Sequence, residues 1–210
     1  EPDLGSAVTI SLLIALVVMT LVFVLVVPTV IWVHLKLPKL RRILELICLL
    51  PLAIPAIVIV VGIAPVYRWL SIHVTESPIT LSGVYTMLIL PYTYRALSSA
   101  LSAVDIATLA EAARTLGAST MRMIFGVVMP TIRSGIMSGV VISLALVLGE
   151  YTISSLLSYH TLQVVIFQIG LDDGNVAVAV SLASLLFVFA LLFAIPTTKK
   201  HKAILDADLV

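Results

Sequence analysis

Residues 111–130 read EAARTLGASTMRMIFGVVMP. This is the longest polar-marked interruption in a chain that is otherwise almost continuously apolar. It holds Glu111, Arg114 and Arg122, with a glycine at Gly117 and a proline at Pro130. Crossing a bilayer does not need such a stretch; between two spans it is there to be touched by something else. Leu109 to Leu116 combines good helix formers with an apolar side at helical spacing, Leu109, Ala112, Ala113 and Leu116. Gly117 permits a left-handed backbone, so the helix ends or bends there. Ser119 or Thr120 caps a second short helix carrying Met121, Ile124, Val127 and Val128. Pro130 opens the next segment. The pattern predicts two short helices joined by an elbow, with a mixed apolar and charged face.

The rest of the chain supplies the membrane. Of 210 residues, 61% are hydrophobic and 11% charged, and mean hydropathy is +1.22. A soluble domain carries about a quarter charged residues. The class is a polytopic, all-α membrane bundle, 1–210 as one transmembrane domain. Five apolar runs are long enough to span: about 7–33, 43–63, 79–97, 131–148 and 175–195. Pro28 kinks the end of the first, Pro51 and Pro55 break or kink the second, and Pro91 interrupts the third. Residues 64–79 and 149–174 are expected as mixed loops, the second with a short amphipathic or re-entrant piece. Residues 98–130 form the polar-marked loop, and 196–210 a charged tail. In 131–148, Ser134, Gly135, Ser138, Gly139 and Ser143 recur at a spacing that lets helices approach closely. The chain opens on Glu1 without a basic leader, so an earlier span is expected to be missing.

Charge sidedness orients the bundle. Alternating five spans puts Lys36, Lys39, Arg41, Arg42, Arg95, Arg114, Arg122, Arg133, Lys199, Lys200 and Lys202 on one side and Arg68 alone on the other. By the positive-inside rule the 98–130 loop and the tail face the cytoplasm. A net charge of +1 gives no reason to expect a nucleic-acid partner. The one cysteine, Cys48, excludes an internal disulfide. No Gly-Lys dipeptide occurs, so there is no phosphate-cradling loop for ATP, and no zinc-protease or Gly-x-Ser-x-Gly motif is present. His34, His73, His160 and His201 are scattered, which argues against a shared metal site. No catalytic residue is expected.

Three acidic positions remain. Glu45 sits one turn from Arg41 and Arg42 and is expected to pair with one of them. The Asp172-Asp173-Gly174-Asn175 run reads as a turn and a cap for the last helix, with contact to a substrate-binding protein or a cationic solute as the alternative. Glu150 closes a span in Gly149-Glu150-Tyr151. A carboxylate there is expensive unless it faces the bundle interior or water. It either lines a pathway with Tyr151 or pairs with a basic or hydroxyl group on a neighbouring span.

The pattern Glu111-Ala112-Ala113, three residues, Gly117, nine residues, then Val127-x-Met129-Pro130 resembles the signature loop of permease subunits of type I binding-protein-dependent ABC importers. Glu111, Ala112, Ala113 and Gly117 match outright; Val127 and Met129 stand for isoleucine and leucine, and Pro130 matches. The resemblance implies that 111–130 couples to an ATPase, through Glu111, Ala112, Ala113, Gly117, Ser119, Met121, Arg122 and Pro130. It implies as partners two ABC ATPase subunits that hold ATP and Mg, a second permease subunit, identical or homologous, and an extracytoplasmic binding protein. It also implies a multi-pass location in a bacterial or archaeal cytoplasmic membrane. Gly149-Glu150-Tyr151 resembles permeases for polyamines, iron, thiamine, phosphonates, sulfate and molybdate. That set mixes cations and anions, so Glu150 is no simple charge filter; the substrate leans to a polyamine such as spermidine or putrescine, then iron, thiamine or aminophosphonate. The rival classes are an ion- or proton-coupled secondary transporter, which would need ionisable residues within spans or a repeated half, and a non-transporting scaffold subunit.

Overall fold

A computed structural model describes residues 3–172 and 174–194, and among these every regular element is helical. The first helix, α1, runs unbroken over Leu4–Lys36. Asp3 caps it, accepting from the amides of Gly5 and Ser6 at 3.1 and 3.2 Å. Pro28 does not kink it sharply. The turn before the proline widens into a π segment, Val22–Val26, closed by the Val27 amide on the Val22 carbonyl. A proline ring crowds the carbonyl one turn back and donates nothing to it, and a wider turn relieves both problems.

The expected second span is rebuilt. It divides into α2, Arg41–Ala53, and α3, Ala56–His73, at Ile54-Pro55. Proline excludes the helical backbone from the residue before it, and Ile54 is extended, with ψ at 120°. Pro51 stays inside α2 and Pro65 inside α3. Residues 64–73 are therefore helix, not loop: the apolar run is continuous, and one proline removes one backbone hydrogen bond without ending it. Glu45 does not pair with Arg41 or Arg42 among the described residues; Arg41 turns to the hydroxyls of Ser98 and Ser102.

After a short 3-10 turn at Pro78–Thr80 comes α4, Leu81–Ser102. It continues five residues past the expected exit at Leu97, so residues 98–102 belong to it and not to the loop. Two short helices follow, α5 at Ile106–Thr115 and α6 over residues 120–131, and then α7, Arg133–Leu148. The expected loop 149–174 also folds, into α8, Thr152–Leu156, and α9, Leu162–Asp172. The last helix, α10, is Gly174–Ala194. Asp173 and the expected tail 196–210 lie outside the described residues.

Three helices are long and apolar enough to cross a membrane, Leu4–Lys36, Ala56–His73 and Arg133–Leu156. A fourth is added if Pro78–Ser102 and Ile106–Thr115, bent by 69°, count together. The outside of the bundle is as apolar as its core: Leu16, Val24, Leu25, Val61 and Leu186 are each more than half exposed. That surface needs lipid or another subunit against it.

The centre is α1, α4 and α7. Ile14, Val18 and Ile31 meet Tyr85, Ile89 and Leu97 there, with Leu144 and Leu148. The closest pairing is α4 with α7, and the small residues expected to allow it do so. A Cβ on Gly135 would stand 2.3 Å from the Ala100 Cβ, and one on Gly139 3.4 Å from the Thr93 Cγ2. The two helices run antiparallel, because Gly135 faces Ala96 and Ala100 while Glu150 reaches Tyr85. α1 runs parallel to α4, since His34 meets Ser98 at its end and Pro78–Thr80 packs near its start. One end of the bundle thus gathers residues 34–42, the last turn of α4, α5, α6 and the start of α7. The other gathers the start of α1, residues 67–85 and residues 149–162.

Candidate functional site

The elbow forms at the first of these ends. Asp105 starts α5: its carboxylate accepts from the Thr108 hydroxyl at 2.7 Å and the Thr108 amide at 3.2 Å. These two bonds, the hydroxyl's first, hold its pKa below the ordinary aspartate value. The helix ends as glycine allows. Gly117 has φ +80°, its amide bonds the Arg114 carbonyl at 2.9 Å, and the Ala118 amide bonds the Ala113 carbonyl at 3.0 Å. That pair of crossed bonds satisfies carbonyls a helix end otherwise strands. Of the two candidate caps, Ser119 is the one used: its hydroxyl accepts from the Arg122 amide at 3.3 Å.

Pro130 does not open the next span. It lies within α6, which is built of Thr120–Met123, a second π segment at Ile124–Val128, and Met129–Thr131. The Met129 amide closes on the Ile124 carbonyl and the proline follows one residue later, as at Val22–Val26 and Pro28. The break comes at Ile132, with ψ at 18°, and α7 starts at Arg133.

The apolar side of the elbow is phased differently from the expectation. Ile106, Ala110 and Ala113 point inward, followed by Met123, Ile124 and Val128. Leu109, Ala112 and Leu116 face out, as does Met121; Leu116 is 87% and Met121 67% exposed. The reason is tertiary: α5 rests on the π segment of α6 and the end of α1, and these select the 106–110–113 stripe. Of the candidate coupling residues, only Ala113 is buried. Glu111, Ala112, Gly117, Ser119, Met121, Arg122 and Pro130 all lie exposed. The outcome is an apolar surface of Leu109, Ala112, Leu116 and Met121 edged by Glu111, Arg114 and Arg122, with nothing of the described chain covering it.

Glu150 sits at the opposite end, and its carboxylate is well supplied with donors. The Tyr85 hydroxyl on α4 donates to Oε2 at 2.7 Å, the Ile153 amide to Oε1 at 2.9 Å and the Ser154 amide to Oε2 at 3.3 Å. It therefore caps α8 and ties it to α4, which is the hydroxyl pairing weighed from sequence. The same residue also lines a cavity of ≈ 190 Å³ with Pro51, Leu52, Tyr92 and Val147. Tyr151 is not part of that cavity. Its ring packs on Phe167 with centroids 5.2 Å apart and borders a separate space with Gln163 and Leu171. The two members of the expected pathway pair point apart.

Three supports escaped the sequence reading. Asp105 is one, though an aspartate before an Ile-x-Thr start is a usable cap signal. Tyr85 is another, 65 residues from its partner. The third is Ser158, with φ +60°, which closes α8 through crossed bonds from its own amide to Ser155 and from Tyr159 to Ser154.

The model of one protein family, the binding-protein-dependent transport system inner membrane component, matches residues 27–197. No curated protein matches the chain.

Proposed function

The chain belongs to the binding-protein-dependent transport system inner membrane components, and from that premise we propose that it is the permease subunit of an ATP-driven importer whose exposed elbow docks on a separate ATPase. The observation that carries this is the outward face of the elbow. A short helix leaves Leu116 and Met121 in the open beside Glu111 and Arg122, at the end of the bundle that collects the basic residues. By the positive-inside rule that end faces the cytoplasm, where an ATPase would sit. ATP and Mg would be held by two such partner subunits, not by this chain.

The geometry suits transmission of force. α5 and α6 are pinned inward by Ile106, Ala110, Met123 and Val128, and α6 is separated from α7 only by Ile132. Displacing the elbow therefore moves the base of a helix that packs tightly on α4 through Gly135 and Gly139. Closure of the ATPases would rotate these spans as rigid bodies. At the far end the cavity beside Glu150 is a candidate stretch of the path, and an extracytoplasmic binding protein would deliver the solute there. The solute leans to a polyamine such as spermidine or putrescine, with iron, thiamine or aminophosphonate next.

The test is Gly117→Val in the assembled transporter. Nothing lies within 4 Å of a Cβ at this position and the residue is exposed, so the main challenge is to the positive φ, at a local cost of about 1–2 kcal/mol. Insertion and the bundle should survive, while ATPase co-purification and binding-protein-stimulated hydrolysis fall together. Full transport with normal ATPase association in this variant sinks the proposal.

A further inference from the structure

Where α1 ends, α2 begins and the last turns of α4 pass, five polar groups converge. Arg41 Nη2 donates to Ser102 Oγ at 3.0 Å and to Ser98 Oγ at 3.4 Å. Ser98 Oγ lies 3.5 Å from His34 Nε2. The His34 Nδ1–H donates to the Val30 carbonyl at 2.9 Å, which turns Nε2 toward the cluster. Tyr94 is the fifth member. It is 2% exposed, and its hydroxyl has no hydrogen-bond partner. Ser98 and Arg41 are near enough to interact with that hydroxyl without forming a well-aligned hydrogen bond, and Glu45 acts on it from further off.

One feature here is unfavourable as it stands, and a second leaves binding capacity unused. A buried hydroxyl without a partner loses the hydrogen bonds that water gave it. The exposed Arg41 guanidinium has five N–H donors, and its hydrogen bonds go to two neutral hydroxyls, which leaves donors free for an incoming acceptor. One kind of occupant answers both. A group with several acceptor oxygens and a negative charge would take the fork of Arg41, the Tyr94 hydroxyl and the serine hydroxyls at once, and arginine matches phosphate in this way.

We propose that Arg41, Tyr94, Ser98 and Ser102 form a binding site for a phosphate group, carried by an anionic lipid or free in solution, with His34 positioning Ser98 from behind. Ile43, Leu46, Ile47 and Leu50 follow on α2 and are each at least half exposed, so an acyl chain has an apolar track leading from the site. Glu45, exposed on the next turn of α2, is the one carboxylate among the described residues that acts on the cluster, and it opposes the anion.

The full chain, purified in a zwitterionic detergent, is titrated with phosphatidylglycerol, phosphatidylcholine or inorganic phosphate while its thermal unfolding is followed. Phosphatidylglycerol should raise the midpoint saturably and phosphatidylcholine should not. Arg41→Gln should weaken the response at least about tenfold, as expected for a lost charged partner. Tyr94→Phe should weaken it about fivefold, the value of one neutral hydrogen bond, with no loss of stability when no anion is added. Glu45→Gln should strengthen it, and Arg42→Gln, outside the cluster, should leave it alone. A response to inorganic phosphate as large as to the lipid assigns the site to free phosphate; a response to the lipid alone assigns it to a headgroup. No saturable response to either, or one that Arg41→Gln and Tyr94→Phe retain in full, overturns the site.

Discussion

Adding one methyl group at Gly135 tests the packing on which the bundle depends. The new Cβ would lie 2.3 Å from the Ala100 Cβ and 3.0 Å from the Ala96 carbonyl oxygen. Carbon atoms rest about 3.5–4.0 Å apart, so α4 and α7 would have to separate by roughly 1.2 Å or more. Neither obstacle is the flexible end of a side chain; one is a Cβ and the other is backbone. Separation would also loosen the Gly139–Thr93 contact one turn on. Overpacking of this kind costs about 1–3 kcal/mol, and each kcal/mol lowers the midpoint by about 2–4 °C in a chain of this length. The assay is thermal unfolding of Gly135→Ala in detergent, beside Gly62→Ala, whose Cβ would meet nothing within 4 Å. Ala100→Gly added to Gly135→Ala removes the closest obstacle and should restore most of the loss, giving a coupling of about 1 kcal/mol or more. If Gly135→Ala is as stable as Gly62→Ala, or if Ala100→Gly brings nothing back, the close approach of these helices is not what holds them.

Further outcomes follow from other residues. Ser158→Gly should stabilise the protein by about 0.5–1 kcal/mol in thermal unfolding, because glycine accepts the left-handed backbone at φ +60°. Glu150→Gln keeps one acceptor oxygen where three donors now converge, so it should cost about 1–3 kcal/mol, and Tyr85→Phe should cost less because it removes a donor and leaves the cap of α8 in place. Asp105 has a folded pKa below its unfolded one, so its contribution to the start of α5 is present above the ordinary aspartate value and lost as pH falls through the lowered one. Amide exchange at Thr108 should accelerate across that acid window in the natural protein and show no such step in Asp105→Asn.

How much of this was legible varies with the kind of physics involved. The elbow was, because glycine at 117 and serine at 119 act through local backbone chemistry that neighbours in sequence decide. The small-residue stripe at Gly135 and Gly139 was legible from its helical spacing, though its partners Ala96, Ala100 and Thr93 were not. The inward face of α5 was not: Leu109, Ala112 and Leu116 are as apolar as Ile106, Ala110 and Ala113, and only the position of α6 and α1 chooses between them. Pro51 and Pro55 look alike as breakers, yet only Pro55 ends a helix. Pro65 with Arg68 and His73 reads as loop, yet the apolar run around the proline absorbs it and residues 64–73 stay helical. The widened turns before Pro28 and Pro130 carry no compositional mark, and the partner of Glu150 is too distant along the chain to be paired without a fold.

The segregation of basic residues to one end also limits how two copies of this chain can meet. Eight of the described lysines and arginines, Lys36, Lys39, Arg41, Arg42, Arg95, Arg114, Arg122 and Arg133, lie at the elbow end, and Arg68 alone at the other. Some small membrane proteins carry so little bias that copies insert both ways up and pair head to tail. A bias of eight against one argues against that, since basic flanks set orientation. On this bias copies of the chain would enter the bilayer the same way up, and a homodimer would then have its twofold axis along the membrane normal and present both elbows to a single compartment.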